Sequence, residues 1–181
     1  MLQVESIFIA SPNQSAKARV AKRNFEVAEG DLLTLLNVFN AYSMIGKAEE
    51  KFWCSKMFLK YKALRRASEL YNQMTKTLKR YKIPLKSTKD MDQIRKCIVS
   101  GLFPNAAYLH MSGTYRTVRG DFPLLVHPTS VLYTVKQPPW VVFTELAHTR
   151  KIHMRELTVI DPAWLEVLAP HYYEKTTMAQ Y

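Results

Sequence analysis

Glycine is scarce in this 181-residue chain, with five in all: Gly30, Gly46, Gly101, Gly113 and Gly120. No two lie close enough to wrap a triphosphate, and neither a Gly-x-Gly-Lys-Thr loop nor an Asp-Glu pair for Mg²⁺ occurs. ATP hydrolysis by this chain alone is therefore not expected. Cysteine is rarer still. Cys54 and Cys97 form no Cys-x-x-Cys pair, which excludes a zinc knuckle or dithiol motif and predicts two reduced, buried thiols. His148 and His153 have no second ligand pair beside them, so no metal site is expected. No apolar run approaches the ~18 residues that cross a bilayer, and the N-terminus lacks the basic-then-apolar order of a secretory signal. The expectation is an intracellular protein with no membrane partner. Catalytic signatures are missing too: there is no Gly-x-Ser-x-Gly element, and Glu145 with Glu156 is a carboxylate pair without a recognisable pocket.

Acidic residues are also few, 15 against 26 Lys and Arg, for a net charge of +11. The excess is local. Residues 47–96 hold 15 basic and 5 acidic side chains, whereas the rest of the chain holds 11 and 10. A polyanion is the natural partner, because each phosphate neutralised releases condensed counterions and makes binding salt-dependent.

At 48% apolar residues the chain can furnish a core for one to two domains. Ser11-Pro12-Asn13-Gln14-Ser15 reads as a turn capping a helix over 16–23, and Asp31 as the cap of a second, with Leu32, Leu35, Leu36, Phe39 and Tyr42 at helical spacing up to Gly46. A third helix covers Glu49–Phe52. A fourth runs from Ser55 or Tyr61 to Tyr81 and stops before Pro84. Its Leu64, Ala67, Leu70, Met74 and Leu78 predict a core stripe. Lys86–Asp90 reads as a linker, and 92–108 as a helix broken at Pro104.

Strand signals follow at Leu109–Val118, Leu124–His127, Val131–Val135, Trp140–Glu145 and Met154–Ile160. Five short strands suit a small OB-type barrel, a fold that binds single strands with a positive groove and stacking aromatics. Tyr108, Tyr115, Arg116, Tyr133, Phe143, Arg150 and Lys151 are on offer, with Tyr115, Arg116, Arg150 and Lys151 the better candidates because they sit at strand ends and turns. Trp140 and Trp164 are expected to be structural, and Asp161-Pro162 to start a short helix.

The ordered set Trp140-Val141-Val142-Phe143, Glu145, Met154-Arg155-Glu156-Leu157-Thr158, Trp164-Leu165 and Ala169-Pro170 resembles the C-terminal end of DEAH-box RNA helicases. Upstream, Glu29-Gly30-Asp31, Leu33–Val38 and Trp53-Cys54 resemble the opening of their helical ratchet region, and Phe58-Leu59, Tyr61, Leu64 and Arg66-Ala67 its RNA-facing helix. Cys97-Ile98, Gly101, Phe103, Asn105–Ala107, His127-Pro128 and Ser130–Leu132 resemble the start of the OB-fold, and the nearest branch is that of pre-mRNA splicing. Leu32, Met57 and Pro104 depart from the family pattern, which has His, Asn, and Ala or Met there.

The resemblance implies an α+β chain: a truncated ratchet-like helical bundle over 1–85, a linker over 86–93, a five-stranded OB-type barrel with a C-terminal extension over 94–173, and a tail over 174–181. It implies a module that holds single-stranded RNA in a nuclear splicing helicase, through Lys60, Lys62, Arg65 and Arg66 on the ratchet helix and Tyr115, Arg116, Arg150 and Lys151 on the barrel. ATP and Mg²⁺ would belong to RecA-like motor domains outside this chain. Those domains, in cis or in trans, and spliceosomal proteins are the implied protein partners. The alternatives are a stand-alone basic RNA-binding or scaffold protein without a motor, and a structural splicing subunit that contacts protein rather than RNA.

Overall fold

The computed structural model describes residues 7–9, 15–148 and 150–173. The turn read at Ser11–Gln14 and the tail beyond Tyr173 lie outside the described residues. Two compact units emerge. One holds the residues up to Glu26 and Thr34–Ser87, and the other holds Val27–Leu33 and the residues from Thr88 onward.

The first unit is helical, with α1 (Ser15–Arg23), α2 (Asp31–Ser43, its start contributed by the second unit), α3 (Glu50–Lys56) and α4 (Tyr61–Arg80). Its core gathers Ile7, Phe25, Val38, Tyr42, Cys54, Leu59, Ala63 and Leu64. Phe25 and Tyr42 both pack against the Trp53 ring. Burial, with the nearby Glu50 carboxylate, pushes the Cys54 thiol up to about 11, so this sulfur behaves as a small hydrophobe. Cys97 breaks the sequence expectation, since it is exposed on a helix of the second unit.

In α4 the expected core stripe holds for only two turns. Leu64 and Ala67 are buried, but Met74 and Leu78 face solvent, because the core of this unit does not extend along the second half of the helix. α4 ends at its own cap rather than at Pro84. Lys82, at φ 56°, donates its N–H to the Lys79 carbonyl, and the Ile83 N–H reaches back to the Leu78 carbonyl (both 3.0 Å). That pair of bonds is the Schellman pattern, which satisfies carbonyls the helix end leaves open.

The second unit runs α5 (Met91–Leu102), a single 3-10 turn at Phe103–Asn105, β1 (Ala106–Leu109), β2 (Tyr115–Thr117), β3 (Pro123–Val126), β4 (Trp140–Val142), β5 (Glu145–His148), β6 (Ile152–Arg155), β7 (Thr158–Val159) and α6 (Ala163–Leu168). The Asp90 carboxylate caps α5, accepting the N–H groups of Asp92 and Gln93. Helix expected as far as residue 108 ends at Leu102, with Pro104 in the 3-10 turn that hands the chain to β1. The strands form one mixed sheet in the order β5-β6-β3-β2-β1-β4-β7, antiparallel except for β3 beside β6.

Alternation along the strands creates a core on each side of the sheet. Ala107, Tyr115, Leu124, Val126, Val141 and Met154 point to one. Ala106, Tyr108 and Val142 point to the other, where Val99 of α5 and Leu165 of α6 cover them. The fold class is thus as expected, α+β with helices ahead of an OB-type sheet, but with seven strands among the described residues in place of five.

Three corrections account for the difference. Leu109–Val118 is split by a loop in which Gly113, at φ +79°, returns its N–H to the His110 carbonyl. Val131–Val135 is not a strand, because Ser130 and Tyr133 close successive turns onto His127 and Ser130. Trp140–Glu145 and Met154–Ile160 each break where the chain passes from one side of the sheet to the other. The breaks meet: Thr144 donates its N–H to the Arg155 carbonyl (3.2 Å) and its hydroxyl to the Glu156 carboxylate (2.9 Å), with Glu156 at φ 52°.

Burial raises the Glu156 carboxyl above its ordinary value, partly offset by the Thr144 hydroxyl, with the Glu145 and Asp31 charges raising it further. A raised folded pKa means the folded state holds the proton longer. Stability is therefore expected to fall as pH rises from the ordinary carboxylate value through the raised one. Glu156→Gln removes this dependence. Urea melts at pH 4 and pH 7 should show the variant gaining on the parent at the higher pH; an equal difference at both values counts against the assignment.

The predicted domain limits shift as well. Residues 83–90 are irregular and exposed, and the unit boundary falls at Ser87 and Thr88. Val27–Leu33, assigned from sequence to the helical domain, belongs instead with the sheet. The Glu29 carbonyl accepts the Val159 N–H (2.9 Å), Gly30 bridges Thr158, and Asp31 donates its N–H to the Leu157 carbonyl (2.7 Å). This short segment closes the free edge of β7.

Candidate nucleic-acid interface

The eight candidate residues fall four to each unit. On the helical unit, Lys60 precedes α4 and gives its backbone N–H to the Ile7 carbonyl. Lys62, Arg65, Arg66 and Glu69 follow at three- and four-residue steps, so they share one exposed face of the helix. Arg65 is engaged with Glu69 (3.1 Å), an i,i+4 pair open to solvent and worth little to stability. Lys62 and Arg66 make no salt bridge among the described residues.

On the sheet unit, the registers bring three of the four candidates to one end. Arg116 pairs with Pro123 across β2 and β3, while Leu125 of β3 faces His153 of the parallel β6. β3 and the parallel β6 start at the same end of the sheet, so the β2–β3 turn holding Phe122 and the β5–β6 turn holding Arg150 and Lys151 lie at that end. Arg116, Arg150 and Lys151 therefore converge on the same end of the sheet. Arg150 and Lys151 are exposed at the β5–β6 hairpin.

Arg116 is more constrained. Its guanidinium is ion-paired with the Asp121 carboxylate, which also accepts the Tyr108 hydroxyl (2.8 Å). The Tyr108 hydrogen bond and the Arg116 charge hold the Asp121 carboxyl below its usual range against some desolvation. The Asp121 charge cancels much of what Arg116 offers an incoming phosphate.

Tyr115 is a correction. It is buried in the core beneath the sheet with its hydroxyl donating to the Pro138 carbonyl (2.6 Å), so its ring presents no stacking face. Burial raises its phenol far above the ordinary value. Tyr108 and Phe143 are buried too. Among the described residues, the exposed aromatic rings of this unit are Phe122, 62% open, and Tyr133, 51% open. Phe122 sits at the same end as Arg150 and Lys151. Sequence reasoning passed it over because it follows Arg119-Gly120-Asp121, which reads as turn; the signal available was a large apolar residue beside three turn formers.

A second group on the same sheet was also missed. Where β5 and β6 meet the residue after β3, the Arg155 guanidinium contacts His127 Nε2 (3.3 Å) and the Glu145 carboxylate (3.3 Å), and the His127 and His153 rings lie edge to face at 5.9 Å. Burial, then the Arg155 charge, lowers His127 below its ordinary value. Trp140 and Trp164 are structural as expected. Trp140 stacks on Tyr108, and Trp164 lies under Arg95 and Lys96.

No group of His, Cys, Asp or Glu among the described residues could hold a metal ion. Both oxygens of the buried Asp31 are occupied by the Ser130 hydroxyl and the Val131 and Leu157 N–H groups. What the arrangement offers is a sheet end with exposed cations and one open aromatic ring, suited to a single strand's phosphates and bases.

Comparison with known proteins agrees in kind. Residues 94–172 match the oligonucleotide/oligosaccharide-binding (OB)-fold family. The chain is 46% identical over 180 residues to probable ATP-dependent RNA helicase DHX35 of Pongo abelii, covering 99% of this chain and 25% of that protein. The chain matches the C-terminal OB-fold region of DEAH-box RNA helicases. The DHX35 homolog of Caenorhabditis elegans is 38% identical over 96% of this chain and 24% of its own length. ATP-dependent RNA helicase DHX33 of Mus musculus is 34% identical over 97% of the chain and 25% of its own. The chain thus spans about a quarter of the length of these helicases, and the part it spans includes both the OB-fold and the helices ahead of it. No helix among the described residues is long and apolar enough to cross a membrane.

Proposed function

We propose that this helicase region holds single-stranded RNA for RecA-like motor domains that bind ATP and Mg²⁺ and lie outside the chain. The observation that carries the reading is the convergence of Arg150, Lys151 and the open Phe122 ring at one end of the OB-fold sheet, on a chain of net charge +11. Lys62 and Arg66 add a second basic face on α4. The role is one of grip: cations neutralise the backbone while a ring accepts a base, so binding is strong in low salt and tolerant of sequence. A nuclear, pre-mRNA-splicing setting is part of the proposal and rests on the resemblance of the C-terminal motif set to that branch of the family.

The test is fluorescence anisotropy with a labelled 12-nucleotide single-stranded RNA at two salt concentrations. Arg150→Glu with Lys151→Glu is expected to weaken binding at least tenfold in low salt. Loss of two phosphate contacts also lowers the slope of log K against log salt by about 1.4. Equal affinity and slope in parent and variant would remove the sheet end from the interface.

A further inference from the structure

Histidine is the side chain whose charge changes near neutral pH, and the grip described above uses none. Three of the five histidines, His127, His148 and His153, lie on or beside the strands that flank the basic hairpin. Alternation along β6 sorts them. Ile152 and Met154 face the core that holds Tyr115 and Leu124, so His153 and Arg155 point to the opposite face of the strand. Register sets Leu125 of β3 and Ala147 of β5 on either side of His153, and these two belong to neither core of the unit. His148, opposite Ile152, lies on the other face.

The His153 ring is held against the hairpin turn. Its Nδ1 lies 3.2 Å from the Lys151 carbonyl oxygen, which can only accept, so Nδ1 carries a hydrogen and Nε2 is the atom that gains a second proton. The charged groups around the ring are Arg150 and Lys151 of the turn, Arg155 two residues along β6, Glu145 of β5 opposite Arg155, and His127 after β3. Glu145 is paired with Arg155, and the same guanidinium reaches His127 Nε2. Burial, then that guanidinium, disfavours a charge on His127. The nearby acids Asp31 and Glu156 are engaged by Ser130, Val131 and Leu157 and by Thr144.

We propose that His153 is a further RNA contact of the sheet end: its protonated ring donates to a phosphate next to those held by Arg150 and Lys151, so that RNA binding takes up a proton. The inference rests on the RNA reading above and names the pH control of that site. A phosphate favours the charged imidazole, and by reciprocity the charged imidazole favours the phosphate. Affinity therefore rises as pH falls through the histidine range. Ala147 beside the ring is small, which leaves room for an RNA backbone to approach.

The test is anisotropy of the full chain with labelled 12-nucleotide oligouridine, whose bases keep one charge state between pH 6 and pH 8, at constant ionic strength. The parent should bind about fivefold tighter at pH 6 than at pH 8. His153→Gln, which hydrogen-bonds without titrating, should match the parent within twofold at pH 8 and lose most of that gain, whereas His148→Gln should keep it. A second readout needs no variant: at pH 7 the His153 ring resonances should move toward their imidazolium positions when RNA is added. RNA binding without pH dependence, the same dependence in His153→Gln, equal loss in His148→Gln, or unmoved His153 resonances overturns this inference and leaves the RNA reading standing. A parent that binds at neither pH overturns both.

Discussion

Gly30→Ala is expected to destabilise the sheet unit by more than about 3 kcal/mol, lowering the thermal midpoint by roughly 6–12 °C if the chain melts cooperatively. Two independent penalties combine. Gly30 sits at φ +117°, where a side chain is strained whatever the space around it. An added Cβ would also lie 2.3 Å from the Leu157 carbonyl oxygen and 3.1 Å from the Leu157 carbonyl carbon and Thr158 Cα. All three are backbone atoms, held by the ladder that joins residues 29–31 to β7, so no rotamer change relieves the clash. A melt followed by far-ultraviolet circular dichroism decides it, with Gly46→Ala as control. At Gly46 an added Cβ meets nothing within 4 Å, so a comparable loss there would show that the effect is not the close approach.

Asp31→Ala comes next, with an expected loss of about 3–5 kcal/mol, since each buried donor left without a partner costs roughly 1–3 kcal/mol. The carboxylate accepts from the Ser130 hydroxyl (2.6 Å), the Val131 N–H (2.8 Å) and the Leu157 N–H (2.9 Å), and the residue is 8% exposed. It therefore ties the turn after β3 and the residue before β7 to the start of α2. Asp31→Asn keeps one acceptor oxygen but turns an NH₂ toward a donor, so it should fall between parent and Ala. Ser130→Ala removes one hydroxyl donor and should cost about 1 kcal/mol. Urea titrations of the three variants check the order Ala, Asn, Ser130→Ala. An Asp31→Ala loss no larger than that of Ser130→Ala would mean that water replaces the carboxylate.

Much of the helical unit was legible because its signals are local. α1 and the span of α4 follow from 3.6-residue periodicity and breakers a few positions away. The exposure of Met74 and Leu78 was not legible, since periodicity shows that a face is apolar without saying how far along the helix its cover reaches. Four of the five expected strands fall within a few residues of observed ones and Val131–Val135 is not a strand, yet the breaks were not legible: Glu156 takes a positive φ that its residue type does not advertise, and Thr144 makes its corner by reaching residues 11 and 12 positions away.

The site was readable by class more than by residue. Arg150 and Lys151 are where a basic turn suggested, whereas Tyr115 points inward because its register opposite Leu124 puts it there, and register is a property of pairs. Asp31 read as a helix cap, since its partners Ser130 and Leu157 are 99 and 126 positions along the chain.

The assignment of Val27–Leu33 to the sheet unit makes the chain pass from one unit to the other three times, between 26 and 27, 33 and 34, and 87 and 88. A protease that nicks the exposed stretch at 83–90 would therefore cut one of three covalent ties. The two fragments should migrate apart under denaturing electrophoresis and yet elute together from a sizing column, since the N-terminal piece keeps its clasp on β7. Conversely, a recombinant fragment beginning at residue 88 would start life with that edge bare and prone to pairing with its neighbours. Excision of the OB-fold for separate study should carry residues 27–33 along, most simply by circular permutation.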